Sequence, residues 1–347
     1  MERRHFLLAG SSLLSLYLAG CGGGDDAPQI QPTPDPGPPP LVRRDVTTLN
    51  AAERQQFIDT LYAMKRAASN YNFRTNAYDY FVNLHMAAFN GSTNAHMCAS
   101  FLPWHREMML RFEKEMRRVS GNPSLTLPYW DWHQPEAYKS IFTDDFLGGD
   151  GDIYDDDLVK TGAFRVGVWN LALDSDPSAN EFMDMHDDSP PEIFVLTGLT
   201  RSYGPNGFTD LKKIVEKYPI SALLDIPIYD NAPYSWMHHP SSDVIAKSMC
   251  KTLEHQLHDK VHVAISGQMG TGSSPNDPAF FLHHCNVDRL WAIWQQKWGN
   301  EGYPTSVQSS KTGSESTLSV YAEKIVISDT FDLLKHSGVT YQTMTAS

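Results

Sequence analysis

Cysteine is scarce in this chain, four in 347 residues, which excludes a disulfide scaffold or a set of cysteine-rich zinc modules. Basic charge is short as well: 28 lysines and arginines stand against 41 aspartates and glutamates, for a formal charge of −13. Without a run of basic residues the chain lacks the electrostatic footprint that grips nucleic acid, so no nucleic-acid partner is expected. The apolar run from Phe6 to Gly20 has 15 residues, short of the roughly 20 that cross a bilayer as a helix. No internal repeat is evident. The acidic stretch from Asp144 to Asp157 lacks the spacing of an EF-hand loop and reads as a solvated loop. Histidine is plentiful by contrast, and 14 of them suffice to ligate a metal without thiolates. Length alone leaves one large domain or two open, at roughly 100–200 residues per domain.

The N-terminal end reads as an export signal. Arg3-Arg4-His5-Phe6-Leu7 is a twin-arginine pattern, and Leu18-Ala19-Gly20-Cys21 matches the bacterial lipoprotein box, in which the cysteine is acylated. Residues 1–20 are therefore expected to be removed, leaving Cys21 as a lipid anchor and the only link to a membrane. The implied location is the face of a bacterial membrane toward the periplasm or the cell exterior. Twin-arginine export carries folded cargo, which suits a protein that loads a metal in the cytoplasm. From Gly22 to Pro40 the chain turns to glycine, aspartate and seven prolines, a composition that stays extended and solvated. The expected organisation is a signal over 1–20, a linker over 21–44 and a folded domain over 45–345.

Within that domain the pattern is helical. Asn50 with Glu53 three residues on makes a helix start, and that helix runs to about Ser69. Further helices are expected at Tyr78–Phe89, Pro103–Val119, Ser242–Val263 and Pro278–Trp298, the last with Asp277 as its cap. Between Asp131 and Pro240 glycine, proline, aspartate and aromatics lack sustained periodicity and read as long loops with short elements.

His258 and His262 stand four apart and share a helix face, but such a pair alone is as readily a core or surface feature. It also lacks the His-Glu-x-x-His order of a zinc protease. Two further segments carry more. His96-Met-Cys-Ala-Ser-Phe101-Leu-Pro-Trp-His105-Arg106, continuing to Glu113, sets one histidine before a tight aromatic turn and another in the first turn of a helix. Pro275-Asn-Asp-Pro-Ala-Phe-Phe-Leu-His283-His284-Cys-Asn-Val-Asp288-Arg289 pairs His284 with Asp288 at i and i+4. A carboxylate there either orients a ligating imidazole or fixes its helix.

These segments resemble the tyrosinase family of type-3 copper proteins, which includes catechol oxidases and, more distantly, molluscan haemocyanins. His96 to Glu113 is similar to the family's first copper signature and Asp277 to Asp288 to its second. Leu257-His258-Asp-Lys-Val-His262-Val resembles the start of the second site, and Leu127-Pro-Tyr-Trp-Asp-Trp132 an intervening segment. The resemblance implies a mainly α fold, a four-helix-bundle core holding a binuclear copper site, with long loops and few short strands. It implies two copper ions, one on His85, His96 and His105 and the other on His258, His262 and His284. Six neutral imidazoles suit copper and suit magnesium or calcium poorly. Ligands spread from 85 to 284 have to converge in one domain.

The implied activity is oxidation of small phenols or o-diphenols to o-quinones by O₂; a non-catalytic O₂-binding or copper-binding lipoprotein is the alternative. Glu254 matches the family's water-holding glutamate. Asp259 stands where many monophenol-hydroxylating members carry Asn, and either strengthens phenol deprotonation or binds the His258 backbone. Thr271 or Gly272 falls near the gate position over the second copper. His283, turned about 100° from His284 on a helix, is expected in a packing or supporting role. Cys98, Cys250 and Cys285 are expected as buried free thiols, and no thioether to His96 is expected. A copper-delivery protein is a possible partner. The chain ends soon after Tyr341, so no C-terminal lid is expected and activity should be constitutive.

Overall fold

The computed structural model describes residues 39–90, 94–134, 137–172, 198–204, 207–235 and 241–345. The signal, Cys21 and the proline-rich spacer up to 38 lie outside them, as do His186, His238 and His239. The chain opens with strand β1 (Leu41–Arg43), followed by helices α1 (Ala51–Arg66), α2 (Asp79–Asn90), α3 (Phe101–Ser120) and α4 (Ala137–Ile141). A short antiparallel pair, β2 (Gly151–Asp152) and β3 (Leu158–Val159), precedes α5 (Gly207–Lys217) and α6 (Ile220–Leu224). Then come α7 (Ser242–Ile245), α8 (Met249–Lys251), a π-helical stretch Thr252–His258, α9 (Asp259–Ile265), α10 (Ala279–Trp298), α11 (Leu333–Ser337) and strand β4 (Val339–Tyr341). The fold is mainly α, as expected, with few short strands.

Local chemistry explains the helix ends. Asn50 Oδ1 accepts from the Glu53 N–H while Glu53 Oε2 accepts from the Asn50 N–H, closing the capping box of α1. Asp277 Oδ1 accepts from the Ala279 N–H at the start of α10. The helix expected over 242–263 is instead broken. Ser248 is extended and its hydroxyl accepts from the Lys251 N–H, so the chain restarts there. The π-helical stretch that follows ends in an i to i+5 bond from the Asp259 N–H to the Glu254 carbonyl, the kind of bulge that recurs at functional sites. Helix α5 falls in the region read as loops. Leu211, Ile214, Val215 and Tyr218 turn one face to the core, and the helix lies against α9.

Residues 41–44, assigned to the linker, belong to the fold. β1 pairs in parallel with β4, and Arg43 is fully buried. Its guanidinium binds Glu113 and Asp288, Arg106 binds Asp288 from the other side, and the Tyr341 hydroxyl donates to the same carboxylate. This buried network fastens the strand pair to α3 and α10, which lie side by side and carry His105 and His284. At the other end Arg289 holds the carbonyls of Thr343 and Thr345, so the fold reaches 345. Six tryptophans fill the core, Trp104, Trp130, Trp132, Trp169, Trp291 and Trp294, each less than 2% exposed. Cys98, Cys250 and Cys285 are buried free thiols, as expected. Among the described residues no helix is long and apolar enough to cross a membrane.

Candidate metal centre

Four helical segments and one loop bring seven histidines into two adjoining groups. Helix α2 carries His85, the loop before α3 carries His96, and the second turn of α3 carries His105. The stretch 252–265 carries His258 and His262, and α10 carries His283 and His284. The potential ligand atoms of His85, His96 and His105 lie within 4.8 Å of one another, and so do those of His258, His262, His283 and His284. His105 stacks on His284 at 4.3 Å between ring centroids and 15° between planes, so the groups share a wall. His96 and His262 are the partly exposed members; the others are buried.

Hydrogen bonds to the back of four of the rings fix which of their nitrogens faces inward. A carbonyl oxygen only accepts, so a ring nitrogen bonded to one carries the proton. His85 Nδ1 donates to the Gly272 carbonyl at 2.7 Å, His105 Nδ1 to the Phe101 carbonyl at 2.9 Å and His262 Nδ1 to the Met269 carbonyl at 2.6 Å. His258 Nδ1 is held by Asp259 Oδ1 at 2.9 Å. The Nε2 lone pairs of these rings are left pointing into the groups. In the second group His258 Nε2 lies 3.1 Å from His262 Nε2 and 3.2 Å from His284 Nε2, and the remaining edge is 3.4 Å. Lone pairs at that range repel unless a cation sits among them, and the spacing is that left by three bonds of about 2.0 Å to one ion. The buried nitrogens His105 Nε2, His96 Nδ1 and His284 Nδ1 have no hydrogen-bond partner. The donor set fits a transition metal that imidazole suits, such as copper.

Burial keeps six of the seven rings neutral. It pushes His85 down to about 4 and His262 to about 3, and holds His96, His105, His283 and His284 well below the ordinary histidine range, with neighbouring imidazoles adding to the effect. The unfolded chain then binds more protons than the folded one below the ordinary value of 6.5, so stability should fall as the pH falls. Urea unfolding of the metal-free protein should show its midpoint dropping steadily from about pH 6.5 to about pH 4. A flat profile over that window would contradict neutral buried imidazoles.

Residues 75–297 match the family described as the common central domain of tyrosinase. This chain belongs to the tyrosinase family. It is 34% identical over 268 residues to a tyrosinase of Streptomyces glaucescens, covering 76% of this chain and 85% of that protein. Among solved structures it is similar to a polyphenol oxidase from Thermothelomyces thermophila, with a TM-score of 0.55 at 20% identity over 87% of this chain and 88% of the other. An octopus haemocyanin functional unit shares the fold as well, with a TM-score of 0.50 at 18% identity over 88% of this chain and 68% of the other. The family carries a binuclear copper site, and the histidine groups of this chain are able to hold it.

The structure sharpens several assignments within the family frame. Asp288 does not orient His284. Its carboxylate is taken by Arg43, Arg106 and Tyr341, so it fixes the helix instead. Asp259 binds the His258 imidazole rather than the backbone, and its other oxygen faces His255 Nδ1 at 3.2 Å. Against the cost of desolvation, those two hydrogen bonds hold the Asp259 carboxyl well below its usual range. Gly272 is buried, and its carbonyl supports His85 in the first group. A Cβ at this position would stand 2.8 Å from the Phe89 ring. That places Gly272 beside the first group. Thr271 is half-buried, with its hydroxyl on the Gln268 carbonyl and Ser273 Oγ. His283 is fully buried, stacks on His258 at 5.0 Å, and has no partner on either ring nitrogen. The acidic loop is structural: Asp150 accepts from the N–H groups of Tyr203 and Gly204, and Lys160 pairs with Asp152 and Asp155.

Residue types alone do not point to the carbonyls of Phe101, Met269 and Gly272, because any residue carries one. The only signal is the turn-forming Gly267-Gln-Met-Gly-Thr-Gly272 run itself.

Proposed function

We propose that the protein oxidises small phenols and o-diphenols to o-quinones with O₂, as a tyrosinase or catechol oxidase. The observation that carries this is the pair of adjoining neutral imidazole groups, each with one member open to solvent. In this reading His85, His96 and His105 hold one copper and His258, His262 and His284 the other, with His283 as a packed neighbour. When bound, the copper pair supplies the two-electron chemistry with O₂ that organic side chains lack.

The chain's own residues handle orientation and protons. The open sides of His96 and His262 mark where a ring substrate approaches. Asp259 has both oxygens engaged by imidazoles, so it steadies His258 and raises that ligand's basicity. Glu254 is left as the proton acceptor. Its Oε1 is taken by the Met97 N–H at 2.7 Å, while Oε2 is buried without a partner and free to hold a water. Burial, with the Asp259 charge beside it, raises the proton affinity of the Glu254 carboxyl well above the usual range, which suits a group that takes a phenol proton through that water. Thr271, on the loop from α9 to α10, is the residue we assign to the gate.

The same reading includes twin-arginine export, lipid anchoring through Cys21 and loading by a copper-delivery protein. Cys21→Ala should then move the protein from the membrane to the soluble fraction.

Oxygen uptake by the copper-loaded domain with p-cresol and with 4-methylcatechol tests the activity. Turnover of both is expected. Activity on the catechol only would narrow the enzyme to a catechol oxidase, and O₂ binding without quinone formation would contradict the enzyme reading.

A further inference from the structure

We infer that Glu254 is the positioning residue for His96: a carboxylate on the segment leading to the second histidine group clamps the backbone that presents a histidine of the first. The inference rests on the reading of His96 as a copper ligand. Met97, the next residue, has φ +51°, a left-handed conformation that a side chain with a Cβ rarely adopts and that the surroundings have to enforce. The rest of this turn is tied down by other parts of the chain. The Ala99 N–H donates to the Tyr234 carbonyl, the Tyr229 hydroxyl to the Ala99 carbonyl, Ser100 Oγ to the Asn94 carbonyl, and Cys98 bridges to Ser235. The Met97 N–H goes to Glu254 Oε1 at 2.7 Å, across 157 positions of sequence.

Glu254 is 2% exposed, so this hydrogen bond is made away from competing water. It joins the π-helical stretch to the one strained residue of the His96 turn. The two groups are therefore not built independently. The first copper's loop takes its shape from the helix of the second, and the bulge in that helix sets where the carboxylate stands. Glu254 thus has two separable tasks, one for each oxygen: Oε1 holds Met97, and Oε2 serves the substrate side.

Three variants separate the clamp from general stability: Glu254→Gln, Glu254→Leu, and Glu254→Leu combined with Met97→Gly. The readouts are copper content per chain and hydrogen exchange of the Met97 amide. Glutamine keeps an acceptor oxygen, so Glu254→Gln should bind two coppers and keep Met97 protected. Leucine removes it, so Glu254→Leu should bind one copper and exchange the Met97 amide about 10–100-fold faster. Glycine adopts positive φ without a Cβ penalty, so the double variant should regain the second copper. Two coppers and a protected Met97 in Glu254→Leu would overturn the inference, as would a folded double variant that stays at one. If Glu254→Leu does not fold, Glu254→Gln decides, and a loss of Met97 protection there overturns the clamp. Fewer than two coppers in the unsubstituted protein would instead contradict the ligand reading, leaving the Met97 exchange result to judge the clamp separately.

Discussion

Replacing His258 with alanine is expected to leave one copper per chain and to lower quinone formation by at least about 10³-fold. Three Nε2 atoms with edges of 3.1, 3.2 and 3.4 Å make a closed donor set, and removing one leaves two donors on one side of an open space. The loss should be confined to the second group, because the first draws its rings from α2, the His96 loop and α3. His283 supplies a built-in check. Its ring lies 5.0 Å from His258 and 4.8 Å from His262 between centroids. If it could step in as a ligand, the His258→Ala protein would keep two coppers. Metal analysis together with oxygen uptake distinguishes the outcomes.

The second large effect is expected away from the metal. Asp288→Ala should destabilise the fold by about 3–5 kcal/mol, the usual cost of removing one partner from a buried ion pair. Arg43 and Arg106 would then face each other without the carboxylate they share, and the Tyr341 hydroxyl would lose its acceptor. Since a domain is stable by about 5–15 kcal/mol in all, urea unfolding should show a sharply lower midpoint. Had Asp288 oriented His284, the same substitution would chiefly weaken copper binding at the second group. An unchanged unfolding midpoint with impaired metal binding would restore that role.

How much of this was legible in the sequence follows from which interactions side-chain identity controls. The capping box of α1 and the Asp277 contact at the start of α10 depend on particular side chains at fixed offsets, and these helices, like α3, begin within two residues of expectation. The histidines of the two signatures come together in two groups, because histidine type and spacing are visible in a sequence. The break in 242–265 was not legible. Ser248 is favoured at a helix start but also tolerated inside one, and a π-bulge changes the register without a distinctive residue. Arg43 was misplaced because it lies between the proline-rich stretch and the first segment that resembles the family, and its partners Glu113 and Asp288 are distant in sequence. Asp259 was ambiguous because a carboxylate next to a ligand can turn toward the ring, the backbone or the substrate. Only the position of His255 one turn earlier shows why both its oxygens are engaged.

The central claim is that two imidazole triads hold two coppers side by side. Anomalous scattering at the copper edge from crystals of the copper-loaded protein tests it most directly. Two peaks are expected, one bounded by Nε2 of His85, His96 and His105 and the other by Nε2 of His258, His262 and His284. A single peak, or a second peak ligated by His283 in place of one of its neighbours, would contradict the account.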